Sequence, residues 1–216
     1  MATTEYNKID SPFKRFTEGP QRNRFDFSQW SRPEFELLQH LPWHWTEKID
    51  GTNIRVVWDG HRVAFGGRTD AAQIPATLFK VLAEMFPEEL LEQVFGEKPA
   101  VLYGEGFGAK IQKVGAQYIP DGQSFILFDV RAGDWWLTPE SVADIAFKLG
   151  INHAPVFATG MDVATAIDTV VRGLESSWGP FWAEGLVGRP PLGITARDGG
   201  RLLMKVKHVD LYKGGK

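Results

Sequence analysis

Glu47-Lys48-Ile49-Asp50-Gly51-Thr52-Asn53-Ile54-Arg55-Val56 sets a lysine just ahead of an Asp-Gly turn and follows it with a Thr-Asn pair and a β-favouring run. Asp-Gly supplies turn geometry, and the residues after it favour an extended strand. Lys48 therefore reads in two ways, as a surface lysine beside a turn or as a covalent nucleophile. A lysine nucleophile must be neutral to attack, so it needs burial or cationic neighbours to bring it down from its usual value of about 10.4. The rest of the chain decides between the two.

Working outward, the extended reading begins at Trp43 and runs through Trp45-Thr46-Glu47-Lys48. Asn53 to Trp58 forms a strand with Ile54, Val56 and Trp58 on one side and Arg55 and Val57 on the other. Asp59-Gly60 turns it back into His61–Gly66, a hairpin closed by Gly66-Gly67-Arg68-Thr69-Asp70. Leu78, Val81, Leu82, Met85 and Phe86 recur at helical spacing and predict a helix over 75–86, continued in 88–95. Ala100-Val101-Leu102-Tyr103 and Ser124–Val130 are short apolar strands. Thr138-Pro139 starts a second helix that Gly150 ends, and a third is expected over 162–178. Glu184–Gly188 and Leu202–Lys207 are the last strands. Residues 1–30 read as an irregular, locally basic arm carrying Lys14, Arg15, Arg22 and Arg24. Ser31-Arg32-Pro33-Glu34 begins a short helix.

Hydrophobic residues make up 43% of the 216 and charged residues 24%, which fits an ordinary globular domain. A net charge of −3 gives no global basic signature, so contact with nucleic acid must come from a local patch. With no cysteine, thiolate metal sites, disulfides and Cys nucleophiles are excluded. No run is long and apolar enough to span a membrane, the first residues lack an apolar leader core, and a cytoplasmic protein is the expectation.

Three further sites, four residues in all, are candidates for chemistry. Glu105 stands between two glycines at a strand end, where its carboxylate either projects into a cleft with no adjacent side chains or caps a backbone amide of a turn. Glu184 opens an apolar strand, as a metal or ribose ligand or as an edge residue that discourages pairing. Lys205 and Lys207 fall on one strand face with Met204 and Val206 opposite; they read either as solvent-exposed strand lysines or as a pair whose mutual repulsion is relieved by a polyanion between them.

Together these stretches resemble the covalent nucleotidyltransferases, the ATP-dependent nucleic-acid ligases and capping enzymes, and among them the RNA ligases of the RNA ligase 2 type. The likeness rests on Lys48–Asn53, Gly67-Arg68-Thr69, Tyr103-Gly104-Glu105-Gly106, Phe125–Asp129, Glu184–Val187 and Lys205-Val206-Lys207 in family order. It implies an α+β nucleotidyltransferase (ATP-grasp-like ligase) domain of mostly antiparallel sheets flanked by helices, with the nucleotide in a cleft between sheets. A single domain is expected, with residues 1–40 as arm and short helix, 41–207 as core, and no C-terminal domain after Lys207. By resemblance Lys48 is the residue adenylated by ATP, and Glu47 accepts from the adenine amino group. Phe125, or alternatively Phe128, stacks on the base. Asn53 and Arg68 contact ribose or phosphates, Glu105 the ribose or a metal, and Glu184 a metal. Lys205 and Lys207 hold the α-phosphate. Mg²⁺ is the expected ion, with Mn²⁺ as substitute, and RNA ends, in a nicked duplex or an RNA/DNA hybrid, are the expected partner. Lys14, Arg15 and Arg55 are candidates for nucleic-acid contact. An ATP-dependent DNA ligase core, a GTP-using capping enzyme and a non-catalytic nucleotide- or RNA-binding module are the rival readings.

Overall fold

The structure is a computed structural model and describes residues 5–212. It is an α+β fold of mostly antiparallel sheets with helices packed on them. The chain divides into two compact units: residues 50–154 with 5–6 form one, and residues 7–49 with 155–212 the other.

The first unit is built on a five-stranded sheet. Its strands are β4 (Thr52–Trp58), β5 (Val63–Gly66), β6 (Ala100–Gly108), β7 (Gln123–Ala132) and β8 (Trp135–Trp136), in the order β5-β4-β6-β7-β8. The Asp59-Gly60 turn closes the β4–β5 hairpin as expected. Asp59 Oδ1 accepts from the backbone N–H groups of His61 at 2.8 Å and Arg62 at 2.7 Å. Those two bonds hold the Asp59 carboxyl below the usual carboxylate range. Period-two alternation buries Ile54, Val56, Trp58, Leu102, Phe125 and Leu127 in one core, which Val130 joins after an irregularity in β7. Helices α2 (Ala76–Met85), α3 (Glu88–Phe95) and α5 (Pro139–Leu149) contribute Leu78, Leu82, Leu91 and Ala146 to it, while the short α4 (Gly115–Tyr118) follows β6. Thr138 caps α5 by accepting from Ser141 N, and Gly150 ends it in the left-handed conformation.

The second unit carries a four-stranded sheet made from both ends of the chain. Its strands are β3 (Trp43–Lys48), β9 (Val156–Met161), β10 (Gly185–Arg189) and β11 (Met204–Lys207), in the order β11-β10-β3-β9. Trp43, Trp45, Leu186, Met204 and Val206 pack on one face against α1 (Pro33–Leu38) and α6 (Val163–Arg172). α7 (His208–Tyr212) ends the described chain.

Two expectations change here. Residues 13–30 are a β-hairpin, β1 (Phe13–Arg15) paired with β2 (Phe25–Trp30), and its aromatic residues hold it together. The Phe13 ring lies 4.8 Å from Trp30 and 5.2 Å from Phe27. The third helix stops at Arg172, six residues short, because Gly173 takes φ +97° directly under the Trp182 ring. Residues 173–183 are therefore a turn rather than helix.

Candidate active site

Three strands of the second unit converge on one acid. In register, Gly185 of β10 lies opposite Lys48 of β3 on one side and Lys207 of β11 on the other. Residues paired across a sheet share a face, so both ammonium groups flank a position that has no side chain. None fits there: a Cβ at Gly185 would lie 1.9 Å from the Val206 carbonyl oxygen. Glu184 fills the gap. Its Oε2 accepts from Lys48 Nζ at 2.5 Å and its Oε1 accepts from Lys207 Nζ at 2.6 Å. The carboxylate is 10% exposed and the lysines 22% and 28%, so the cluster is partly desolvated yet open to solvent on the lysine side. Lys205 shares this face, as the alternation of Met204–Lys207 requires.

Glu47 points the other way. Its partner across the sheet is Leu186, a residue of the unit's apolar core, and Glu47 itself is 5% exposed. Its Oε1 accepts from Ser176 Oγ at 2.6 Å, and its Oε2 accepts from Ser177 N at 2.9 Å and Ser177 Oγ at 2.6 Å. Both oxygens of Glu47, the acid expected to meet an adenine amino group, have serine partners in this structure. Strand alternation sends the acid to the face opposite Lys48, and two serines occupy both its oxygens.

In the first unit the Asp50-Gly51 turn rests against β6. A Cβ at Gly51 would lie 2.3 Å from the Gly106 carbonyl oxygen. Gln112 Nε2 donates to Gly51 O at 2.9 Å, and the Tyr118 hydroxyl accepts from Asp50 N at 3.2 Å. Neither residue was visible from the sequence, since Gln112 reaches the turn by adopting φ +55° in an otherwise anonymous loop. Asn53 pairs with Glu105 across β4 and β6, on the face away from the helices. Asn53 Oδ1 is buried and has no hydrogen-bond partner among the described residues. An unpaired buried acceptor costs about 1–3 kcal/mol, and a ligand hydroxyl would relieve it.

The glycines around Glu105 serve the opposite face. A Cβ at Gly104 would meet the Phe125 ring at 2.1 Å, and one at Gly106 would meet Leu78 Cδ2 at 2.5 Å. They are holes for core side chains rather than clearance for the carboxylate. Phe125, the first of the two rings expected to stack on the base, lies on that helix-side face. It is 1% exposed in the helix-side core, with Phe86 edge-on at 5.2 Å. A bulge at Phe128 breaks the alternation, since Tyr103 pairs with Asp129 and Gly104 with Leu127. Phe128 turns to the Asn53–Glu105 face, where Tyr6 packs on it at 5.1 Å.

The family model for RNA ligase matches residues 41–207. The chain belongs to the RNA ligase family. Among solved structures it is similar to Naegleria gruberi RNA ligase. A variant of that ligase with AMP and Mn is 20% identical and superposes at a TM-score of 0.66, covering 84% of this chain and 54% of the other. A variant with ATP and Mn is 19% identical at a TM-score of 0.66, covering 97% and 63%. At these identities the likeness concerns the fold, and the chain spans little more than half the length of the structures it matches. No curated protein matches.

As a member of this family, the chain carries its expected residues in two groups. Lys48, Glu184, Lys205 and Lys207 share one face of the four-stranded sheet. Asn53, Glu105 and Phe128 share one face of the five-stranded sheet, and Arg68 is exposed on the loop after β5. Arg55 and Arg15, two of the candidates for nucleic-acid contact, both have partners within the chain. Arg55 is 3% exposed, donating from Nε to Gly67 O at 2.7 Å and from Nη2 to Asp70 at 2.8 Å. Arg15 pairs with Asp210 at 2.8 Å and lies over the Phe25 ring at 4.5 Å. Lys14 remains exposed on the hairpin.

Proposed function

We propose that the chain is an ATP-dependent RNA ligase that seals 5′-phosphate and 3′-hydroxyl ends through lysyl-AMP and RNA-adenylate. The observation that carries this reading is the Lys48–Glu184–Lys207 cluster, a lysine held at a strand end by a carboxylate shared with a second lysine. The Glu184 carboxylate fixes the Lys48 amine on the sheet face that Lys205 and Lys207 share, and the attacking form is the neutral amine. Lys48 would then displace pyrophosphate from the α-phosphate of ATP. AMP would pass to the 5′-phosphate of an RNA end, and a 3′-hydroxyl would displace it. Each step is an in-line displacement at phosphorus, driven mainly by positioning and charge neutralisation. Lys205 and Lys207, on the face of Lys48, suit the α-phosphate oxygens.

Among the described residues no group of three or more His, Asp or Glu forms a metal cage. The donor set fits an ion bound through one carboxylate plus phosphate and water oxygens, the usual manner of Mg²⁺. Glu184 would hold it, and the ion would supply positive charge at the α-phosphate. The matched ligase with AMP and Mn supports both the nucleotide and the divalent ion. On the five-stranded sheet, the orphaned Asn53 oxygen, Glu105 and the Phe128 ring offer acceptors and an aromatic face suited to a nucleoside. Arg68 and Lys14 are the exposed cations proposed for RNA phosphates.

The test is α-labelled ATP with a divalent metal. Label on the protein that survives alkali and is released by acid, as a lysine phosphoramidate requires, is expected, and it is lost in Lys48→Ala. No label from ATP, GTP or NAD overturns the reading, and label from GTP alone identifies a capping-type enzyme. Nicked RNA, nicked DNA, hybrids and single strands then identify the substrate.

A further inference from the structure

Residues 47 and 48 project to opposite faces of β3, yet both grip one segment of chain. Glu47 holds Ser176 and Ser177, and Lys48 holds Glu184. Between these grips the chain makes a closed turn. Ser176 N donates to Phe181 O at 2.8 Å, Ala183 N donates to Leu174 O at 2.8 Å, and Glu175 bridges Trp182. Ser176 Oγ also accepts from Trp178 N at 3.2 Å while it donates to Glu47, so its hydroxyl is fixed at both ends. Such a turn moves as one piece, and its last residue leads straight into Glu184.

The anchor is nearly saturated. A carboxylate offers about four lone-pair sites. Glu47 uses one on Oε1 and two on Oε2, a strong set of bonds for an acid sealed behind a sheet. A buried acid this well supplied is a fixed point, and the turn hangs from it.

We propose that Ser176 and Ser177 are positioning residues. By binding Glu47 on the back of β3 they set the place of Glu184 on the front, and with it the geometry of the Lys48 amine. This rests on the lysyl-AMP reading above, because only that reading gives the Lys48–Glu184 distance a catalytic meaning. Displacement of a reacting group by about 1 Å costs on the order of 10²-fold in rate. Loss of the serine hydroxyls is therefore expected in the rate of lysyl-AMP formation at saturating ATP, not in ATP binding.

The experiment measures single-turnover lysyl-AMP formation against ATP concentration for wild type, Ser177→Ala, Ser177→Thr and Ser176→Ala/Ser177→Ala, with thermal melts alongside. The double variant is expected to lose about ten- to hundred-fold in maximal rate, with half-saturation by ATP shifted less than about twofold. Ser177→Ala, an exposed position that keeps the backbone bond, falls between, and Ser177→Thr restores the rate. An unchanged rate in the folded double variant overturns the proposal. So does a loss confined to half-saturation or to the ATP-over-GTP preference, which would put Glu47 against the base. Should the double variant not fold, Ser177→Ala decides: a rate loss rescued by threonine supports the proposal, and an unchanged rate overturns it. A wild type that takes no label overturns the lysyl-AMP reading and this inference with it, whereas a labelled wild type with indifferent variants overturns this inference alone.

Discussion

Phe125 and Phe128 lie three residues apart on one strand and have opposite surroundings. Phe125 fills the hole left by Gly104 in the helix-side core, and Phe128 stands on the other face beside Asn53 and Glu105. Their alanine variants should therefore separate. Phe125→Ala is expected to lose about 3–5 kcal/mol of stability, the usual cost of emptying a buried aromatic site. Phe128→Ala is expected to raise the ATP concentration needed for half-maximal labelling, with a smaller stability loss from its contact with Tyr6. Urea titrations and ATP titrations of the two variants check this, and the reverse pattern would restore Phe125 as the stacking residue. The residue types were legible in the sequence here, but their facing was not. A one-residue bulge at Phe128 resets the alternation, and nothing in Phe125–Asp129 announces it.

At the scale of elements, the loop after β5 depends on a buried guanidinium. Arg55 bridges Gly67 O and Asp70, the residues on either side of Arg68 and Thr69. Arg55→Ala strips the Gly67 carbonyl of its buried donor and removes a packed side chain, at an expected cost of about 2–3 kcal/mol. Asp70 is 85% exposed, and Asp70→Ala should cost under about 1 kcal/mol, as exposed partners do. Arg55→Lys should fail to rescue, because one ammonium cannot make the two-pronged contact. Chemical denaturation distinguishes these outcomes, and equal losses in the Arg55 and Asp70 variants would count against the strut.

Most elements were readable from the sequence because each carries a local rule. The β4–β5 hairpin follows from Asp59-Gly60, α5 from its Thr138 cap and Gly150, and β11 from Lys-x-Lys alternation. The failures share a different cause. The β1–β2 hairpin is held by cross-strand aromatic packing, and the end of α6 is forced by Trp182 lying over Gly173, both contacts with no local trace. Extending α6 through residue 178 hid Ser176 and Ser177 inside a helix and left Glu47 without its partners. Lys48, Glu184 and Lys207 were each named from the sequence, but their meeting across Gly185 is a fact of register alone.

On the scale of the whole molecule, the chain leaves one unit at Ile49 and returns at Pro155, having built the other in between. The two ends of that excursion are neighbours within their own unit, since Glu47 N donates to Pro155 O at 2.9 Å. Closely spaced ends mark an insertion, and a unit so interrupted keeps a contiguous core of its own. Replacing residues 50–154 with a short Gly/Ser linker is expected to leave residues 7–49 and 155–212 able to fold. Cooperative unfolding followed by the fluorescence of the buried, stacked pair Trp43 and Trp45 would show it. A product lacking a cooperative transition would mean that the four-stranded sheet needs the inserted chain.

The opposed facing of Glu47 and Lys48 also guards strand alignment. If β3 slipped by one residue against β10, every side chain on it would exchange faces. The ammonium of Lys48 would be driven among Leu186 and Val206, while the carboxylate of Glu47 would be brought toward that of Glu184. Both outcomes carry an electrostatic penalty, so the misaligned sheet rejects itself. The charges that flank the end of β3 act as a proofreading key for its assembly, independent of any substrate.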